Sequence, residues 1–507
     1  MWPWLIVGTV LVVALVATYD LLQHKHAILR NFPVIGHFRY VLEKVGPELR
    51  QYIVTDNDEE RPFSRDRRRW VYASSKKEND YFGFGTDNDL DRPAAGYVII
   101  KHSAFPHRPV AADADASHPI PAAKVIGAWR GRRHAFRPAS VVNISGMSYG
   151  SLSGAAVEAL NRGALLAGCW QATGEGGLSR FHQHGGDLVF QIGTGYFGVR
   201  DAAGDFELSR LVDLCAANPV RAIELKLSQG AKPGLGGLLP GPKVTKAIAE
   251  VRGIEVGKDC ISPAFHGTFS DIDGMLEFIE RAADATGIPV GIKSAVGDTR
   301  FWTDLATRMA VTGTGPDFVV VDGGEGGTGA GPLAFTDHVA LPFRQGFPRV
   351  YRAFAEADLH HKVAFGGSAK LGFPEVALLA LGMGCDWVSV AREALLAIGC
   401  VQAQRCHTDH CPTGIATQRP WLERGLDPDL KSVRCANYLI TLRKELLRLA
   451  HACGESHPAL VGLDRIELLG SDGESRPSAE VFGYQPGWGL PSRADAELVE
   501  QLVATRR

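Results

Sequence analysis

Three of the nine cysteines, Cys400, Cys406 and Cys411, fall within twelve residues of one another in the stretch GCVQAQRCHTDHCPTG, residues 399–414. Spacers of five and four residues let a loop fold its thiolates around one soft metal centre with no intervening element. Three thiolates rather than four suit a cubane that lacks one iron, a 3Fe-4S cluster passing one electron at a time. A structural zinc site completed by His407 or His410 uses the same ligand types. Cys435 is a further thiol that would change the cluster type if it joined the set. The plain alternative is three reduced cysteines with a packing role, but free cysteines are ordinarily scattered as small hydrophobes rather than bunched.

A second group of residues lies in glycine-rich turns: SGMSYG at 145–150, TGEGG at 173–177, DGGEGGTG at 322–329 and FGGSA at 365–369. Glycine lets backbone amides approach an anion or a flat ring closely. One such turn means little, because turns use glycine everywhere. Four of them, each after a candidate strand, point to a phosphorylated cofactor. Its candidate contacts are Ser145, Met147, Ser148, Asp322, Gly323, Gly324, Gly366, Gly367 and Ser368. Lys293 ends an apolar strand, PVGIKS, where an ammonium can stabilise negative charge on a reduced ring; a buried ion pair is the structural alternative. Gln191 ends another strand and can bond a ring edge or simply be a satisfied buried amide. Lys226 and Lys232 sit in a long Gly- and Pro-rich segment, residues 224–242, of the kind that carries substrate groups. Lys232, with Glu175 as proton donor, suits a small dicarboxylate. Lys226 can equally pair with Glu224 or Glu175.

The elements that must position these groups are short β-branched runs alternating with Ala/Leu-rich helical segments from residue 141 onward. Candidate strands cover 141–145, 169–173, 187–192, 221–227, 260–263, 289–294, 317–322, 362–366 and 386–391. Nine candidates for an eight-stranded closure leave one peripheral. The class is α/β, a (β/α)8 TIM barrel, because chemistry-bearing residues end almost every strand; an open doubly wound sheet would gather them at its switch point. After the cysteine loop, residues 430–452 predict a long amphipathic helix, and a short helix is expected from 494.

At 507 residues with a formal net charge of -2, the chain has ample core and no electrostatic pull toward nucleic acid. An odd number of cysteines without framework spacing argues for a reducing compartment. Residues 2–19 form an uncharged apolar run near the length of about 18 to 20 residues that spans a bilayer. His24, Lys25, His26 and Arg30 follow it, which places the catalytic body on the cytoplasmic side of a single-pass membrane anchor. A cleaved signal peptide is the alternative, against which stand the missing basic n-region and cleavage site. A helix is expected near 38–52, and the arginine run Arg61 to Arg69 either touches anionic lipid or pairs with the interleaved acids. The organisation expected is an anchor over 1–22, an accessory segment over 23–115, the barrel with its cysteine loop over 116–420 and a helical extension over 421–507.

The motifs ISGMSYGSLS (144–153), ATGEGG (172–177), QIGTGYFGV (191–199), LKLSQGAKPG (225–234), VDGGEGGTGAGP (321–332) and GCVQAQRCHTDHCPTGIATQ (399–418) together resemble the FMN-binding synthase domain of glutamate synthase. The resemblance implies FMN in the barrel, a 3Fe-4S cluster on Cys400, Cys406 and Cys411, and reductive amination of 2-oxoglutarate. It implies that Lys293 and Gln191 face the flavin while Glu175, Lys232 and Arg252 face the substrate. Members of that family begin with an amidotransferase domain and end with a β-helical one; neither is expected here, so ammonia would come from a separate subunit and electrons from an unidentified donor. Leu238 stands where a substrate-contacting glutamine is common in the family, which opens the substrate to other 2-oxo acids or amino acids. The rival expectations are an amine or 2-hydroxy-acid oxidoreductase feeding a membrane quinone, and a non-catalytic electron-transfer subunit.

Overall fold

The β-branched runs become strands because each is flanked by a helix that covers its outer face. In the computed structural model, which describes residues 2–23, 26–78, 85–86, 88, 96–108, 119–470 and 472–505, the chain divides into two units, Met1–Arg69 and Trp70–Arg507.

In the first unit an apolar helix, α1 (Trp2–Leu22), is followed by the short helix Ala27–Asn31 and by α2 (Gly36–Leu49), which continues into a π-helical turn, Arg50–Val54. Among the described residues α1 is the one helix long and apolar enough to cross a membrane, with a mean hydropathy of 2.3. His24 and Lys25 lie outside the described residues. The helix expected near 38–52 is thus α2 with its π turn. Within the arginine run, Arg68 and Glu60 form a buried ion pair.

The second unit contains a closed barrel of eight parallel strands: β1 (Val142–Ile144), β2 (Trp170–Ala172), β3 (Asp187–Ile192), β4 (Val220–Lys226), β5 (Val290–Ser294), β6 (Phe318–Asp322), β7 (Ala364–Ser368) and β8 (Trp387–Val390). Each pairs with the next, and β8 closes on β1 through Val388 opposite Val142. The ninth candidate, 260–263, is the peripheral one. Cys260–Ile261 pairs antiparallel with Leu238–Leu239 in a separate two-stranded ribbon, too short to span the barrel wall. Leu238 is exposed on that ribbon.

Strand period decides what fills the interior, since alternate residues face inward. Trp170, Phe318 and Trp387 are the first residues of β2, β6 and β8, and they pack with Ile126 and Phe136 at the amino end. The same parity two to four residues later brings polar groups inward near the carboxyl mouth. Apolar aromatic packing thus floors the barrel and leaves chemistry to its rim.

The long helix α4 (Pro428–Cys453) packs against α3 (Gly154–Ala167). There a Cβ at Gly163 would lie 2.7 Å from the Cys435 Cβ. Cys435 is therefore committed to a helix–helix contact and is no fourth ligand of the cysteine loop. The final helix runs Arg493–Thr505, and Val98–Ile100 pairs with Ile466–Leu469 beside Ser475–Pro477.

Candidate active site at the barrel mouth

Inward parity collects Ser145, Gln191, Glu224, Lys293, Asp322 and Ser368 into one buried polar ring. Gln191 Nε2 donates to Glu224 Oε1 at 2.5 Å, and the two are register partners on β3 and β4. The Lys293 ammonium has Ser145 Oγ at 3.4 Å and Asp322 Oδ1 at 3.8 Å. Both contacts are long for charge-assisted bonds, so the ammonium has capacity for another acceptor. Ser145 Oγ and Ser368 Oγ lie 3.4 Å apart, and Asp322 Oδ2 accepts the Gly230 N–H at 2.8 Å. Burial raises the Glu224 pKa, the Lys293 charge and the Gln191 amide offset only part of that, and the carboxyl ends above its ordinary value.

The glycine turns come close to this ring. A Cβ at Gly146 would meet Gln191 Nε2 at 2.9 Å, and one at Gly174 would meet the Ser148 amide nitrogen at 2.5 Å. Met147 and Ser148 are half-buried at the mouth. The late turns are more self-contained than their sequence suggests. The Gly323 N–H donates to Ser368 O and the Gly324 N–H to Leu341 O, each at 2.9 Å. Gly366 and Gly367 lie inside β7 against the Trp387 and Phe343 rings. A ring of buried polar groups bordered by side-chain-free backbone fits a flat, polar-edged cofactor.

Beside the ring lies a cluster of opposite charges. Lys226 is the register neighbour of Lys293 on the adjacent strand, and its Nζ is 2.9 Å from Glu175 Oε1 and 2.7 Å from Gln229 Oε1. Of its two expected partners, Glu175 is the one it bonds. Lys232 is buried, and burial lowers its pKa although Glu175 opposes that. For Glu175 itself, burial raises the pKa, but the Lys226 charge and hydrogen bond, with Lys232 and Arg252 farther off, outweigh it and hold the carboxyl below its ordinary value. Arg252 sits behind the turn: Nη2 donates to Tyr149 O at 2.9 Å and the guanidinium lies over the Phe197 ring. A Cβ at Gly176 would meet that Nη2 at 2.8 Å.

One further residue borders the cluster without any sequence signal. His266 contacts Lys226 O through Nε2 at 2.9 Å and the Tyr196 hydroxyl through Nδ1 at 3.1 Å. Its pKa is lowered, mainly by burial. His266 lies just beyond the peripheral ribbon, within the β4–β5 connection.

The cysteine loop bends sharply, with left-handed backbone at Gln402, Gln404 and Asp409. It is tied to the β1 turn by Lys243, whose buried Nζ donates to Ser151 O, Ala416 O and Cys406 O at 2.8, 3.2 and 3.4 Å. Gln418 Nε2 adds bonds to Gly150 O and Leu152 O. Burial raises the Cys406 thiol, and charge on Cys411 raises it further, as expected of two thiols drawn near each other. Cys400 Sγ instead accepts the Gln402 N–H at 3.4 Å, and His410 Nδ1 is engaged by Thr408 O. Among the described residues no group of three or more His, Cys, Asp or Glu side chains is disposed to hold a metal ion. The loop in this conformation does not present a three-thiolate set.

Fold and site together define a (β/α)8-barrel protein with a buried polar ring and an adjoining cationic cluster at its carboxyl mouth. Residues 125–456 match the model of the conserved region in glutamate synthase. The glutamate synthase large subunit-like protein YerD of Bacillus subtilis is 38% identical over 485 residues, covering 89% of this chain and 91% of that protein. Archaeal-type glutamate synthase (NADPH) of Thermotoga neapolitana is 34% identical over 347 residues, 68% of this chain and 64% of that protein. This chain thus spans under two thirds of the latter's length. Among solved structures, a flavocytochrome b2 variant with pyruvate bound aligns at TM-score 0.44 and 14% identity, covering 89% of this chain and 90% of that one. The chain belongs to the glutamate synthase family. It is a glutamate-synthase-like oxidoreductase.

Proposed function

We propose that the barrel mouth holds FMN against Lys293, Gln191 and the glycine turns, and that the adjoining cluster binds a small 2-oxo acid, 2-oxoglutarate first among them, for reductive amination. The observation that carries this reading is the register pairing of Lys226 with Lys293. It sets the lysine of the cationic cluster beside the lysine of the polar ring. FMN bound there, once reduced by an electron donor, would supply the hydride that reduces the carbon of an imino acid, formed from the oxo acid and ammonia with loss of water.

Every other role falls to the chain. Lys293 offers positive charge to the flavin edge, and Gln191 is held toward it by Glu224. Lys226 and Lys232 bind substrate carboxylate, and burial strengthens each such bond by excluding competing water. Glu175, kept ionised by its cationic neighbours, accepts a proton; Glu224 accepts the Gln191 amide and fixes its direction. The acceptor's role replaces the proton-donor role expected of Glu175. Arg252 acts from behind the turn by fixing the Tyr149 carbonyl and adding to the field on Glu175.

The Cys400, Cys406 and Cys411 loop is the proposed seat of a 3Fe-4S cluster, supported by the cysteine spacing; iron and sulfide assay of anaerobically purified protein tests it. The proposed setting is the cytoplasmic face of a membrane, held by α1, with ammonia from a separate subunit and electrons from an unidentified donor.

Titrating the oxidised protein with 2-oxoglutarate tests the substrate site. A saturable change in the flavin spectrum, weakened about tenfold or more in Lys232→Met by loss of a charged hydrogen bond, supports the reading. Equal binding by wild type and variant would remove Lys232 from the site.

A further inference from the structure

Helix α2 (Gly36–Leu49) carries an apolar face that nothing in its own unit covers. Ile35, Phe38, Leu42, Val45 and Leu49 recur at alternating intervals of three and four residues, so at 100° per residue they share an arc of about 120° or less. All are exposed, from 39% at Leu49 to 78% at Ile35. Val41, 53% exposed, widens the same stripe. The opposite side carries His37, Arg39, Glu43, Lys44, Glu48 and Arg50, with Arg39 and Glu43 paired at 2.9 Å. A well-sorted helix with one fully apolar, uncovered face is the signature of a helix lying in a membrane–water interface.

The connection to α1 fixes where this helix begins. Asp20, in the last turn of α1, is fully buried. Its Oδ2 accepts the Val34 N–H at 2.8 Å and its Oδ1 meets His37 Nε2 at 2.9 Å. The end of the apolar helix is thereby tied to the first turn of α2. If α1 spans a bilayer, α2 starts at the boundary where that span ends. We infer that α2 lies along the membrane surface with Phe38, Leu42, Val45 and Leu49 in the acyl region, giving the chain a second lipid contact besides its span. This rests on the reading of α1 as a membrane helix.

The test uses the full chain in vesicles of phosphatidylcholine and phosphatidylglycerol, with a diazirine-bearing residue placed in turn at 11, 42, 45 and 44. Positions 42 and 45 should form lipid adducts as position 11 does, several-fold above position 44 on the polar face. Lipid adducts at 11 but not at 42 or 45 would overturn the interfacial helix and leave the anchor standing. No lipid adduct at any position would overturn both. Adducts from 42 or 45 to a second copy of the chain would make the stripe a protein interface instead, and equally overturn the inference.

Discussion

Glu175 and Glu224 show how position alone assigns different tasks to one residue type. Glu175 lies 2.9 Å from an ammonium and is held below the ordinary carboxylate range, whereas Glu224 lies in the barrel beside an amide and is raised above it. Glu175 touches the cationic cluster and is the proton acceptor, whereas Glu224 acts through Gln191 as a positioning residue. Glu224→Gln, which keeps an oxygen to accept the Gln191 amide, should hold flavin and retain turnover within about tenfold. Glu175→Gln should lose on the order of a hundredfold or more, the usual scale of a lost proton-transfer group; steady-state rates of the two variants check this. Because the folded pKa of Glu175 is depressed, its ion pair with Lys226 contributes above the unfolded carboxyl's pKa and is lost as pH falls through the folded value. Turnover should therefore fall on the acid side only below the ordinary carboxylate range. Glu175, Lys232, Lys293 and Gln191 were legible in the sequence because glycines or strand ends mark them. Glu224 was legible only as a salt-bridge partner, since its importance comes from strand parity: two residues after Ala222 and two before Lys226, it must point inward. His266 follows the ribbon that sequence alone reads as a barrel strand, and nothing local marks it.

At the scale of elements, eight strands read from β-branched runs are the eight of the barrel, because a strand covered on its outer face by a helix is largely apolar, with polar residues gathered at its inward carboxyl end. Residues 260–263 carry a similar short run but pair only with Leu238–Leu239, a long-range partnership that no local pattern encodes. The burial of Cys435 against Gly163 is equally non-local: α3 and α4 meet across more than 250 residues of sequence. His457 makes a comparable tie. Its ring meets Pro121 O through Nε2 at 2.9 Å and accepts the Ala459 N–H at Nδ1, so both nitrogens are used only if the ring is neutral. Burial, aided slightly by Arg137, pushes its pKa down to about 4. The unfolded chain takes up that proton near 6.5, so it binds more protons across the window between the two values and stability falls as pH drops through it, by at most about 1.4 kcal/mol per pH unit. His457→Gln, which can make both bonds without titrating, should flatten the pH dependence of the melting temperature between about 6.5 and 4; an unchanged slope would place the acid sensitivity elsewhere.

For the whole molecule, the parts combine into a barrel unit carrying the chemistry and an N-terminal unit with an apolar helix, α1, and an amphipathic one, α2. The cysteine loop belongs to the barrel unit and is bound by Lys243 and Gln418 to the same β1 turn that borders the polar ring. A redox group on that loop would thus sit one turn from the flavin site. The central claim, FMN-dependent reductive amination at the mouth, is tested most directly without oxygen. The purified full chain is reduced until its flavin absorbance is bleached, and 2-oxoglutarate and ammonium are added separately and then together. The account predicts prompt return of oxidised-flavin absorbance only when both are present, with glutamate formed in proportion. Bound flavin that stays reduced with both reagents present would contradict it.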